Sequence, residues 1–444
     1  MPTKRTEKSA FPRRSTPRRP TVAGLLRLTI IGAMGLALSW EVISRGAAAY
    51  FADVAPQMAL WLNSQQPTAL INAADRLLNL PEEAERSTSG ALNDVAKRQI
   101  LRWAELAVMN EPVNARASRI LGQLADSADD RAHAAQFMET AVHFSLRESA
   151  AAYWMMKRRM ETHNYDEVMY YADVILRTHP ELGIYVVPTL AQIAENKQAD
   201  GLLKALLAGN PPWRKQFLTS LPGNATDVRT PLDMLLALRT TAVPPTSAEI
   251  GPYLTFLIDR NSFELAYYTW LQFLPPELLN NVRPLFNGDF EIPLSGEPFD
   301  WVITPGSGVT VDIVQRSDGP GGHALLVQFQ YGRVEFHAVT QLVLLSPGTY
   351  KFVGKDKGEL VGPRGLRWSV RCADGMAAPL GEWSTTGSEL SWKNFEFSFT
   401  VPEVNCRAQY VRLDLAARMA SERLVSGSVL FDELEIVRLA DPPM

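Results

Sequence analysis

The chain has 444 residues, of which 46% are hydrophobic and 21% are charged, and its formal net charge is −4. This composition is typical of globular proteins and excludes a wholly disordered chain. The pI of about 6.0 gives no global positive field, so the sequence does not indicate a nucleic-acid partner. A chain of this length is expected to form two or three domains.

The N-terminal region combines a basic tail with an apolar stretch. Residues 1–21 contain many Lys and Arg residues and one acid, Glu7. Residues 22–45 are mostly apolar, and Arg27 and Glu41 lie near enough to the ends to reach a lipid interface. Basic residues before an apolar helix predict a cytoplasmic N-terminus. The sequence therefore predicts an inner-membrane protein with a single transmembrane anchor at residues 22–45 and a periplasmic remainder.

Two alternatives to this anchor stay open. A cleaved signal peptide would use the small residues of GAAAY at 46–50, but Glu41 and Arg45 lie before that site. A buried helix of a soluble domain is the other alternative, and the basic tail does not favour it.

The chain has two cysteines, Cys372 and Cys406, and neither belongs to a CxxC metal motif. An oxidising compartment such as the periplasm permits a disulfide between them. Two unpaired core cysteines are the alternative.

Residues 46–283 are predicted to be helical, because apolar residues recur at steps of three and four. The clearest unit, residues 149–182, has the 34-residue period of a tetratricopeptide repeat. Its second half, NYDEVMYYADVILRTHP, resembles that family: Ala172 lets two helices approach, and Pro180 ends the unit. The resemblance implies an α-solenoid that binds partner proteins. The alternative is that these helices only separate the last domain from the membrane.

After residue 287 the apolar period becomes two, which predicts strands. The predicted strands are residues 309–315, 324–331, 340–345, 348–354, 366–372, 392–401, 409–415 and 428–439. So many short strands imply an antiparallel β-sandwich or jelly roll over residues 284–444. The predicted fold is therefore multidomain α + β.

The β region resembles jelly-roll carbohydrate-binding modules of the galactose-binding-like group. The resemblance depends on NGDFE at 287–291, WKNFEFSFTVP at 392–402 and SGSVLFDELEI at 426–436. It implies that Phe290 and Glu291 lie on the first strand of the sandwich. It implies glycan binding, with no required cofactor and a structural calcium ion held by Glu291 and Asp432, since calcium prefers carboxylate oxygens. The apolar alternation changes phase near Asp432, which predicts a bulge there. The alternative is that both acids are ordinary edge residues.

Sugar rings stack on exposed aromatic faces, so four aromatic residues are candidate glycan-binding residues: Trp383, Trp368, Tyr331 and Trp301. Trp383 lies in the polar stretch GEWSTTGS and is predicted to be the most exposed. Arg333, Glu335 and His337 alternate along GRVEFHAV, either lining a face or forming a solvated edge.

No catalytic motif is present: the histidines are scattered, and there is no G-x-S-x-G elbow or Walker A loop. The sequence predicts a non-enzymatic, membrane-anchored accessory protein that binds partner proteins through its helices and a glycan through its sandwich. Its architecture is similar to that of membrane-anchored repeat proteins of bacterial surface-polysaccharide assembly, which implies a role in exopolysaccharide biosynthesis or export. A purely structural envelope scaffold and a glycan-modifying enzyme are the alternatives.

Overall fold

The computed structural model describes residues 22–79, 94–316, 321–330, 332–375, 378–385 and 388–439. The chain divides into two compact units, Met1–Asn164 and Tyr165–Met444. The described part of the first unit is helical, whereas the second contains helices and two β-sheets. This is the predicted α + β class.

The helices of the first unit are α1 (Val22–Val54), α2 (Pro56–Leu62), α3 (Pro67–Leu78), α4 (Asp94–Asn110), α5 (Ala115–Ser127), α6 (Arg131–Phe144) and α7 (Ser149–Glu161). Two of these helices have an N-cap side chain. The Asn114 side chain accepts a hydrogen bond from the Ala117 amide at the start of α5, and the Asp130 side chain accepts one from the His133 amide at the start of α6. Among the described residues, no helix has both the length and the apolar character needed to cross a membrane, a finding that does not support the anchor predicted at residues 22–45.

The helices of the second unit are α8 (Tyr165–Thr178), a 3₁₀ turn (Pro180–Leu182), α9 (Gly183–Ala194), α10 (Asp200–Ala208), α11 (Arg214–Asn224), α12 (Thr230–Arg239), α13 (Ser247–Asp259), α14 (Phe263–Phe273) and α15 (Pro276–Leu279). As predicted, α8 ends before Pro180. The tetratricopeptide class, the solenoid at 46–283 and the boundary near residue 283 stay predictions.

The strands are β1 (Val302–Ile303), β2 (Val309–Gln315), β3 (His323–Phe329), β4 (Val339–Val343), β5 (Gly348–Val361), β6 (Leu366–Cys372), β7 (Gly381–Ser384), β8 (Ser388–Val401), β9 (Gln409–Leu415) and β10 (Ser426–Arg438). The first sheet has the order β1-β4-β9-β6-β7 and the second β2-β3-β10-β5-β8, and neighbouring strands in both sheets pair antiparallel. Strands β2, β6 and β9 have the predicted bounds, whereas β1 and β7 were not predicted.

One hydrophobic core lies between the two sheets. Trp368 of the first sheet lies at its centre, with ring centroids 5.6 Å from Phe352 and 5.5 Å from Phe431 of the second sheet. Cys372, at the end of β6, forms a disulfide with Cys406 in the loop before β9, which confirms the predicted pair. The predicted bulge is also confirmed, because the β5–β10 register shifts between Asp432 and Glu435.

Residues 284–301 form no strand, so the placement of Phe290 and Glu291 on a first strand is wrong. The Asn287 side chain instead bonds the backbone of Ile292 in both directions, at 2.8 and 3.0 Å, and so imitates a strand pair locally. Gly288 is required here, since a Cβ atom would lie 2.0 Å from the Leu434 carbonyl oxygen.

This segment also joins the sandwich to the preceding helices. The Trp270 ring of α14 lies 5.1 Å from the Phe286 ring and 5.7 Å from the Phe299 ring, measured between centroids. Burial raises the pKa of the Glu297 carboxyl, while hydrogen bonds from Ser247 and Trp270 act in the opposite direction. The helical and β parts of the second unit therefore share a buried junction.

Candidate functional site

The outer face of the first sheet carries polar side chains in rows across its strands. On β9, Val411 and Leu413 point into the core, so the residues between them point outward. The cross-strand rows on this face are Leu342, Tyr410 and Arg371; Thr340, Arg412 and Ser369; and Asp414 and Arg367. The sheet thus gathers charged residues that lie far apart in the sequence.

Asp414 organises this face, although its side chain is only 12% exposed. Its carboxylate accepts from Arg367 at 3.0 and 3.3 Å and from Arg412 at 3.1 Å. Arg367 also donates to Glu382 of β7 at 3.3 Å, and Arg412 donates to the His337 carbonyl at 3.2 Å. Two guanidinium groups are therefore held in fixed positions by one buried carboxylate.

A cavity of about 360 Å³ opens above this network. Two loops form its walls, one containing residues 334–337 and the other residues 415–423. Its lining includes Glu335, Phe336, His337, Arg367, Arg412, Asp414 and Arg423.

The electrostatics of the cavity favour the charged form of Arg367. Hydrogen bonding to Asp414 raises the pKa of the Arg367 guanidinium. The half-buried Phe336 adds an apolar surface, and its ring lies 6.0 Å from that of Phe329, between centroids. A few fixed donors and acceptors beside an aromatic ring suit a small polar ligand with many hydroxyl groups.

The aromatic residues predicted to bind a glycan do not come together in this cavity. Trp301 and Trp368 have no exposed surface and belong to the core, so neither ring offers a face to a sugar. Trp383 is partly buried on β7, with its ring stacked 4.0 Å from that of Phe395, instead of lying exposed in a loop. Tyr331 lies outside the described residues. Of the polar candidates, Glu335 and His337 do line the cavity.

The two predicted calcium ligands have protein partners. Arg316 donates to Asp432 at 2.5 Å, and His323 contacts Glu291 at 2.9 Å. The Arg316 guanidinium also lies over the Trp392 ring, 4.6 Å from its centroid. Among the residues that the structure describes, no group of three or more His, Cys, Asp or Glu side chains is arranged to hold a metal ion. This donor set does not fit calcium, because a guanidinium already neutralises Asp432.

The first unit has a separate cavity of about 570 Å³, bounded by residues of α5, α6 and α7. The half-buried Tyr153 and Trp154 line it, together with the carboxylates of Asp126 and Glu161. Both aromatic rings therefore have a surface on this cavity. Tyr171, in contrast, is 8% exposed and part of the core.

Sequence patterns alone did not identify Arg367, Arg412 and Asp414 as a site. Both LRWSVRC and QYVRLDL alternate apolar and polar residues, which predicts one wet face for each strand. That these two wet faces are adjacent depends on the pairing of β6 with β9.

The fold and this site define a helical protein with an antiparallel β-sandwich that bears a polar cavity on one sheet.

No model of a known protein family matches the chain, and no curated protein matches it. About a third of the chain is similar to solved carbohydrate-binding modules. CBM4 is 17% identical over 35% of this chain and 99% of that chain, with a TM-score of 0.27. CBM61 in complex with β-1,4-galactotriose is 22% identical over 36% and 99%, with a TM-score of 0.25. The CBM22-1 xylan-binding domain of Paenibacillus barcinonensis Xyn10C is 17% identical over 35% and 94%, with a TM-score of 0.24. Similarity at these identities and TM-scores does not assign a ligand to this chain.

Proposed function

We propose that the protein is a non-catalytic glycan-binding accessory protein of the cell envelope, and that the cavity on the first sheet holds the sugar. The observation that carries this proposal is the Arg367–Asp414–Arg412 network, with the Phe336 ring at the same cavity. Sugar hydroxyls need several fixed hydrogen-bonding groups, and their C–H faces need an apolar surface. The cavity supplies both.

Binding is favoured over catalysis by the state of the buried carboxylate. Asp414 is engaged by two guanidinium groups, whereas a catalytic acid or base needs a carboxyl group free to exchange a proton with substrate. Hydrogen bonding to Asp414 raises the pKa of the Arg367 guanidinium, which favours its charged, hydrogen-bond-donating form.

Calorimetric titration of the full-length chain with the polysaccharide purified from the surface of its own host tests the proposal. The variant Arg412→Met removes a cavity donor but keeps an apolar side chain. We expect it to weaken binding about tenfold or more, since one good charge-assisted hydrogen bond contributes roughly 1.5–3 kcal/mol. Arg283→Met is the matched control, because this arginine side chain is 71% exposed and does not line the cavity.

Three results would decide the matter. Saturable binding that Arg412→Met weakens and Arg283→Met leaves unchanged supports the proposal. Binding that both variants leave unchanged places the glycan elsewhere. No binding by the folded protein overturns the glycan function and favours a structural scaffold.

We also propose that the helices bind a partner protein of polysaccharide assembly or export, through the cavity that Tyr153 and Trp154 line. Its mixture of aromatic and charged side chains is suited to a protein surface. A photo-crosslinker at Trp154 should react with one partner in intact cells, whereas one at the exposed Trp61 should not. Equal reaction at both positions would contradict a specific site.

For location we propose the periplasmic side of the inner membrane. The Cys372–Cys406 disulfide supports an oxidising compartment. Helix α1 has many exposed apolar side chains, such as Leu36 at 75% and Val42 at 71%, which favour contact with lipid. Fractionation of cells, with and without alkaline carbonate, tests the assignment; recovery in the cytoplasmic fraction would refute it.

A further inference from the structure

The helices of the second unit cover one end of the sheet face that carries the cavity. In the first cross-strand row, Leu342 is 1% exposed, and it lines a space of about 280 Å³ together with Tyr267 and Trp270 of α14. In the same row, burial and the nearby Asp259 at the end of α13 raise the pKa of Tyr410. The Arg407 guanidinium lies 5.6 Å from the centroid of the Phe263 ring at the start of α14.

The covering helices come close to the cavity, because the residues they cover lie only two positions away along β9 from a residue that lines it. Tyr410 and Arg412 are successive outward residues of β9, about 7 Å apart along the strand. Arg412 lines the cavity, whereas Tyr410 belongs to the row next to the helices. A ligand that extends from Arg412 toward Tyr410 therefore meets the helices.

Loops close two other sides. The backbone of Glu335 exchanges hydrogen bonds with Ser307, at 2.8 and 3.0 Å, and the Val334 amide donates to the Arg423 carbonyl at 3.0 Å. These bonds fix the loop beside β4 and tie it to the loop that follows β9. On the fourth side lies β7, an edge strand whose Glu382 side chain is 48% exposed.

We infer that this cavity is a blind pocket for the end of a glycan chain, so that the protein binds chain termini and not internal segments. An internal segment must enter and leave a site, which requires two open sides. Two loops wall this cavity, the helices cover the next row of outward residues on a third side, and the volume of about 360 Å³ suits a short terminal stretch. The inference depends on the proposed glycan function and specifies which part of the glycan binds.

The test compares long and short chains of one polysaccharide. The host polysaccharide is partly hydrolysed and separated into two fractions that differ about tenfold in length, and each is titrated into the full-length protein. End binding predicts one protein per chain in both fractions, and hence about ten times fewer sites per gram in the long one. Arg412→Met should weaken binding to both fractions by the same factor, since one pocket binds both.

The outcomes separate this inference from the glycan function itself. Several protein molecules on each long chain, at an affinity that Arg412→Met weakens, would overturn end binding and leave the glycan function standing. A loss confined to the long chains in Arg412→Met would also overturn end binding. No binding to either fraction would overturn both.

Discussion

Replacing Trp270 should destabilise the second unit in a way that depends on pH. The Trp270 side chain is 1% exposed and packs against Phe286 and Phe299, so Trp270→Ala should cost about 3–5 kcal/mol of unfolding free energy. Trp270→Phe keeps an aromatic ring but loses the indole N–H that donates to Glu297. Leaving the buried, ionised carboxylate without this donor should cost roughly 1–3 kcal/mol.

The sign of the pH dependence follows from the raised pKa of Glu297. A carboxyl group whose pKa is higher in the folded protein stabilises the fold fully below its ordinary pKa of 4.5, and loses this contribution as the pH rises through the folded-state value. The Trp270 hydrogen bond lowers that folded-state pKa, so Trp270→Phe should raise it further. The variant should therefore lose more stability than the wild type between pH 4.5 and neutrality.

Urea unfolding followed by far-UV circular dichroism, near pH 4.5 and at neutral pH, measures this difference. Trp61→Phe is the control, because Trp61 is 82% exposed and should show almost no change at either pH. An equal cost of Trp270→Phe at both pH values would refute the argument that Trp270 stabilises an ionised Glu297.

The remaining predictions concern the disulfide, the calcium question and the cavity. Reduction of Cys372–Cys406, which lie 34 residues apart, should lower the unfolding free energy by about 4 kcal/mol; an unchanged urea midpoint with reductant would contradict this. Arg316→Met should destabilise the sandwich by about 3–5 kcal/mol, because it leaves the 5%-exposed Asp432 side chain unpaired, whereas adding or chelating calcium should not shift the Tm of the wild type. A calcium-dependent rise in wild-type Tm would refute the second statement. Asp414→Asn should lower stability by roughly 1–3 kcal/mol and weaken glycan binding, whereas Glu382→Gln, at a carboxylate 48% exposed, should cost about 1 kcal/mol or less. Equal effects of the two would show that Asp414 does not organise the cavity.

The β-sandwich was largely predictable from the sequence. Strands β2, β6 and β9 were found with their bounds, because one buried and one wet face impose a period of two on each strand. The same alternation located the bulge at Asp432, where its phase changes. The partners of the disulfide could also be predicted from the sequence, because only two cysteines are present.

The site depended on tertiary structure. Arg367 and Asp414 are 47 positions apart and meet only because β6 pairs with β9. Arg316 and Asp432 are 116 positions apart, so no local pattern shows that a guanidinium lies where calcium was predicted. The side to which an aromatic ring points, as for Trp383 against Phe395, likewise depends on a strand that the sequence did not reveal. Alternation along one strand identifies its buried face, but only the pairing of strands and the packing of helices over them decide which outward residues form a pocket.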